Sequence, residues 1–281
     1  MKLKLVKSFW GMEGSLREQM RRIDEAGYMA VEGQHLNLPN AENDAEAFLS
    51  LRREFNLEYV AMILTDAPNN SVAAHLADMH RKAEAVKRFE PLQITMHSGR
   101  DCWTFAEQEQ FFTEALELER QLGLPINHET HRSRAMFTPW TTAALLRRFP
   151  ELHLVADFSH FVNVCERLLE DQTDDLALCI ARTRHVHGRV GHEQGPQVND
   201  PRAPEWSRHL AAHESWWDEI VRTRLKAGAP TFTFNPEFGP PTYLPTLPYT
   251  QQPVVNLWDV CLWMAQRFAQ RFNTLTGENL Q

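Results

Sequence analysis

The chain has 281 residues, with 29 basic against 37 acidic side chains, 13 histidines and a hydrophobic share of 43%. Such a chain is too apolar to be disordered and long enough for a real core. Its acidic balance argues against a nucleic-acid binder that relies on bulk positive charge, and no run of about 18 apolar residues marks a membrane span. The first ten residues, MKLKLVKSFW, alternate basic and apolar and lack the apolar run of a signal peptide. Cys102, Cys165, Cys179 and Cys261 are scattered and form no C-x-x-C pair. Together these features read as a reduced, cytoplasmic protein with no nucleic-acid or membrane partner.

A unit of about 35 residues recurs along the chain, a short apolar run followed by a segment of helical period. Residues 3–8 form the first expected strand. Ser15 then caps a helix, with Glu18 completing a capping box, Leu16, Met20 and Ile23 on one face, and Gly27 as the stop. Strands two to eight are expected at 28–33, 58–64, 92–97, 125–129, 152–157, 185–190 and 231–235. Helices are expected between them at 41–55, 72–89, 105–122, 141–148, from 161 onward, and at 206–227. A last helix spans 256–272, where Leu257, Val260, Cys261, Met264, Phe268 and Phe272 share a face that reads as core. Trp216 and Trp217 cannot both point inward on a helix, so one of them is open to an interface, and a homo-oligomer stays among the expected states.

Eight strand–helix units point to an α/β fold, a (β/α)8 TIM barrel with residues 1–281 as a single domain. A doubly wound open sheet would want G-x-G-x-x-G after the first strand. The chain has Trp10-Gly11-Met12-Glu13-Gly14 there, and no P-loop pattern anywhere.

In a barrel the chemistry sits at the C-terminal ends of the strands. Strand two closes with Glu32 and strand four with His97. Strand five closes with His128-Glu129-Thr130-His131-Arg132, and strand six with Asp157-Phe158-Ser159-His160. Strand seven carries His185-Val186-His187 and then Arg189, and strand eight closes with Asn235-Pro236-Glu237. Strand interiors avoid such residues, because an unpaired buried charge is costly. Three carboxylates and an imidazole, Glu129, Asp157, His187 and Glu237, make a mostly oxygen-donor set for one divalent ion. It favours Mn²⁺, Mg²⁺ or Co²⁺, while Zn²⁺ and Fe²⁺ also fit. Each residue has a plainer role open to it. Asp157 stands where a helix N-cap would, Glu129 has cations close by, His185 reads as a core or supporting partner, and Glu237 lies in a proline-rich turn. His97 divides evenly between substrate contact and core. His35, His75, His80, His153, His192, His209 and His213 read as surface or structural.

At these residues the chain resembles the xylose isomerase-like TIM-barrel superfamily of sugar isomerases and epimerases. In its ketose 3-epimerases a Glu, an Asp, a His and a Glu from strands five to eight hold one divalent metal, and Glu129, Asp157, His187 and Glu237 match in order and strand position. The resemblance implies that Glu129 and Glu237 are the catalytic pair. They would move a proton next to a carbonyl polarised by the ion, through an enediolate. The D-x-x-H pattern of Asp157 to His160 makes His160 the residue that contacts a substrate oxygen. His97, His131, Arg132 and Arg189 complete the expected substrate contacts. Two family acids are missing. His187-Gly188-Arg189 departs from H-x-G-E, and Ala135 stands where a second Glu would follow strand five.

The expected function is thus a metal-dependent sugar isomerase or epimerase with a small sugar or sugar-derived substrate. A lyase or dehydratase acting on a keto acid or sugar derivative starts with the same proton abstraction. An endonuclease IV-like phosphodiesterase shares the barrel but needs more histidines and a basic groove. A non-catalytic barrel that binds a sugar and a metal is the alternative outside enzymes.

Overall fold

In the computed structural model, which describes residues 1–34, 45–67 and 69–277, the alternation of strand and helix closes on itself. The strands are β1 (Lys2–Ser8), β2 (Ala30–Gly33), β3 (Glu58–Leu64), β4 (Gln93–His97), β5 (Ile126–Glu129), β6 (His153–Ala156), β7 (Thr183–His187) and β8 (Thr231–Asn235). Each pairs in parallel with the next, and β8 pairs back with β1 through Lys2–Thr231 and Leu5–Phe234. The result is a closed eight-stranded barrel, a (β/α)8 TIM barrel.

The helices among the described residues are α1 (Leu16–Glu25), α2 (Ala45–Glu54), α3 (Val72–Lys87), α4 (Phe105–Leu122), α5 (Pro139–Arg148), α6 (Phe158–Cys165), α7 (Thr173–Arg182), α8 (Ser207–Lys226) and α9 (Leu257–Thr276). Ser15 and Glu18 form the expected capping box of α1, and Thr104 and Glu107 form a second one on α4. Pro139 at the first turn of α5 starts that helix before the expected residue 141, since its missing N–H would have no helical partner there. Residues 41–44 of the second expected helix, and His35, lie outside the described residues.

Two elements differ from expectation. The helix from 161 onward is two helices, because Glu166 (φ 52°) and Leu169 (φ 65°) turn left-handed and break the hydrogen-bond ladder between α6 and α7. The seventh strand ends at His187 rather than 190. The Gly188 N–H still donates to the Asn235 carbonyl, but the Arg189 N–H folds back onto the His187 carbonyl, which ends the pairing. Gly188 allows this exit because the chain passes over Phe234, whose ring lies 2.0 Å from where a Cβ would stand.

Period-2 alternation divides the core. Small residues, Val6, Ala30 and Val60, meet inside the barrel. The larger side chains pack between sheet and helices, with Phe268 of α9 stacked on Phe234 of β8 at 3.7 Å. The expected stripe on the last helix is core, with Val260, Cys261, Met264, Phe268 and Phe272 buried. Trp217 is buried, and Trp216 is half-buried against His213 at 4.8 Å. The four cysteines are free thiols, and only Cys102 is exposed. No helix among the described residues is long and apolar enough to cross a membrane.

His213 of α8 is buried with both ring nitrogens used. Nδ1 donates to the His209 carbonyl oxygen at 2.8 Å, and Nε2 accepts from the Gly191 N–H at 3.2 Å. Burial, which outweighs the His209 carbonyl, lowers its pKa from 6.5 to about 4. The unfolded chain therefore takes up this proton first as pH falls. Its contribution to stability is complete above about 6.5 and is lost toward about 4, at about 1.4 kcal/mol per pH unit. Denaturant midpoints measured from neutral to mildly acidic pH should fall more steeply for the parent protein than for His213→Gln. Equal slopes would contradict this.

Candidate metal centre

The ends of β5 to β8 bring the charged residues to one mouth of the barrel. Along β5, Asn127 and Glu129 face inward while His128 faces the helices, where Nδ1 meets Ser98 Oγ at 2.6 Å and the ring packs on Phe112. Burial lowers the His128 pKa to about 3, so it stays neutral outside the mouth. Along β7, His185 and His187 share the inward face. Asp157 follows β6 and caps α6, its Oδ1 accepting from the Ser159 N–H at 3.2 Å and Oγ at 2.5 Å. Glu237 lies just past β8, set by the Asn235-Pro236 exit.

One ligand atom from each of Glu129, Asp157, His187 and Glu237 falls in a group whose members all lie within 4.8 Å of one another, and all four residues are buried. His187 Nδ1 is 3.0 Å from Glu237 Oε2 and 3.5 Å from Glu129 Oε1. His97 Nε2 is 2.5 Å from Glu129 Oε2. These contacts are close yet lack hydrogen-bond geometry, so both Glu129 oxygens, His97 Nε2 and His187 Nδ1 are buried without a bonded partner. Native proteins rarely leave such atoms unmet. Orphaned donors converging from separate strands fit a divalent cation. Asp157 differs, because one oxygen caps α6 and the second already accepts from Arg189.

The electrostatics agree. Burial would raise the Glu129 carboxyl, but the His97 and His187 imidazoles outweigh it and hold it well below the usual range. Burial raises the Asp157 carboxyl, and the neighbouring Glu129 and Glu237 charges add to this against the pull of Arg189. Burial would lower His187, yet Glu237, Glu32 and Glu129 drive it well above 6.5. Crowded carboxylates with an imidazole drawn toward protonation are what a cation would relieve.

Glu32, at the end of β2, is fully buried under His187. Its carboxylate accepts from Thr95 Oγ1 at 2.5 Å and Asn235 Nδ2 at 2.8 Å, and meets Nε2 of both His185 and His187 at 3.1 Å. It fixes the His187 ring so that Nδ1 faces the other three donors. His185 is the supporting partner, its Nδ1 bonded to Thr233 Oγ1 at 2.7 Å.

A cavity of about 440 Å³ opens over the cluster, and His97, Glu129, His131, Arg189 and Glu237 line it. His131 sits between His97 and His160, with ring centres 4.6 and 3.9 Å away. His160 is fully buried behind this wall and accepts from Arg189 Nη2 at 3.0 Å. Arg132 is not in the lining. Its guanidinium lies 5.0 Å over the Tyr243 ring. Arg134, two residues on, does line the cavity. Ala135 fills the place of the missing second Glu, packed at 3.3 Å from where a Gly99 Cβ would stand.

The rim is joined across three loops. Tyr243 stacks edge-on against Trp10 at 5.0 Å, and Arg189 lies 4.8 Å over the Tyr243 ring. Gln197 bonds both ways with the Gly239 backbone, accepting from its N–H at 2.7 Å and donating to its carbonyl at 3.1 Å. The Trp10 ring is 2.2 Å from where a Gly239 Cβ would be.

A family profile described as "Xylose isomerase-like TIM barrel" matches residues 20–230. No curated protein matches the chain. Among solved structures, the chain is similar to D-allulose 3-epimerase from Methylomonas sp. in complex with D-allulose, at 14% identity and TM-score 0.60 over 96% of this chain and 97% of that one. It is similar to the probable 3-DHS dehydratase of Bacillus anthracis, at 16% identity and TM-score 0.61 over 95% and 98%. A third is the IolI protein with a bound zinc atom, at 11% identity and TM-score 0.63 over 99% of each chain.

Proposed function

The chain belongs to the xylose isomerase-like TIM-barrel family, and from that membership we propose that it is a divalent-metal-dependent isomerase or epimerase of a sugar or sugar-derived acid. The observation that carries the reading is the convergence of Glu129, Asp157, His187 and Glu237 with orphaned donor atoms. These four would hold the ion. When bound, it supplies Lewis-acid polarisation of a substrate carbonyl.

The chain's own residues do the rest. Glu129 and Glu237 are the two carboxylates that line the cavity among the described residues, so one takes a proton from the carbon beside the carbonyl and the other returns a proton. His97 and His131 offer ring nitrogens to substrate hydroxyls from the same wall. Arg189 holds Asp157 and, with Tyr243 and Trp10, covers the mouth against water. The similarity to a solved D-allulose 3-epimerase supports the same reading.

The test is incubation of the protein in D2O with Mn²⁺ and a panel of ketoses and keto acids, followed by NMR. Deuterium is expected at the carbon next to a carbonyl, with an isomer as product. Loss of water from the substrate would assign the lyase reading instead, and no exchange with any member would count against both.

A further inference from the structure

Arg134 brings a positive charge into the cavity wall, and among the described residues Asp66, Glu129 and Asp101 act on it without forming an ion pair. It lies in the turn after β5, aimed by the left-handed Ser133 (φ 62°), and is 7% exposed. Nη1 donates to the Thr65 carbonyl oxygen at 2.6 Å, while Nε is buried without a partner. Among the described residues no carboxylate oxygen lies within 4.0 Å of its guanidinium. Arg189, which lines the same cavity, has Nη2 committed to Asp157 and His160, and its Nη1 is also buried without a partner.

A buried guanidinium without a counter-charge is costly, so an anion that enters the cavity gains what the protein lacks. Glu129 and Glu237 do not pair with Arg134, because they face the divalent-ion group, and the one negative charge that a divalent ion would leave on Glu129, Asp157 and Glu237 is already met by Arg189 through Asp157.

We infer that the substrate carries a carboxylate and that Arg134 pairs with it, with the free arm of Arg189 as a second donor. This rests on the isomerase or epimerase reading only in placing the acid on that site's substrate. Single arms from two guanidiniums, with Arg189 already paired to Asp157, suit the two oxygens and single charge of a carboxylate. A phosphate, with three strong acceptor oxygens and up to two charges, asks for more donors than this wall offers.

Three ketohexose probes that differ only at the terminal carbon test it: D-fructose, D-fructuronate and D-fructose 6-phosphate. They are titrated calorimetrically into the full chain with Mn²⁺ present. D-fructuronate is expected to bind at least about tenfold more tightly than either other probe. Arg134→Met should erase that preference, and Arg134→Lys should keep part of it. Equal binding of D-fructose and D-fructuronate overturns the inference. So does tightest binding of the phosphate, a preference that survives in Arg134→Met, or no D-fructuronate binding at millimolar concentration. If Arg134→Met does not fold, the wild-type comparison and Arg134→Lys still decide. A carboxylate preference without deuterium exchange would remove the isomerase reading and leave this one standing. Exchange without the preference would do the reverse.

Discussion

Glu237→Gln should lower turnover by about 10²–10⁴-fold, the usual size of a lost acid–base group. The substitution keeps the volume of a residue that is 4% exposed and removes only its charge and its capacity to take a proton. Glu237 follows Pro236 beyond the end of β8, so the barrel's pairing does not depend on it. Its Oε2 lies 3.0 Å from His187 Nδ1, so the variant must also be checked for bound metal. If metal content holds and deuterium exchange is lost, the residue moves protons. If both fall together, ligation is its main part. An unchanged rate would remove Glu237 from the reaction.

The second large effect is expected at a residue that touches no substrate. Glu32→Gln puts an amide where a carboxylate meets Thr95, His185, His187 and Asn235 together. Its NH2 group then opposes groups that donate to the native carboxylate. Breaking a buried charged network of this kind costs about 3–5 kcal/mol. Losing the partner that orients a metal-binding histidine costs about 10–100-fold in metal affinity. Urea denaturation and Mn²⁺ titration read the two losses separately. A variant with parent-like values in both would show that His187 is oriented by something other than Glu32.

The barrel was legible because each strand is short, apolar and followed by a helical period, and nothing interrupts that rhythm. The cluster at the barrel mouth was legible for a related reason. Glu129, Asp157, His187 and Glu237 each end or follow an apolar run, and closing the barrel brings those run ends to one mouth. Glu32 also ends a strand, but its partner His187 is 155 residues away, so its role is visible only once the barrel closes. Arg134 was hidden differently. Four polar residues, from His131 to Arg134, follow one another, and which arginine enters the cavity depends on the left-handed Ser133 between them. The break between α6 and α7 was illegible for a similar cause, because Glu166 and Leu169 carry no glycine or asparagine signal for the conformation they adopt.

The contact of Trp10, Gln197 and Gly239 bears on how this mouth can be re-engineered. Loops after three different strands meet there, and Gly239 is the only residue type that fits beneath the Trp10 ring. A loop transplanted after β8 with any residue but glycine at this position would put a side chain where the indole sits and push its backbone N–H and carbonyl out of reach of Gln197. Specificity in this scaffold is therefore inherited as a set of three segments, and a graft succeeds only when all three travel together.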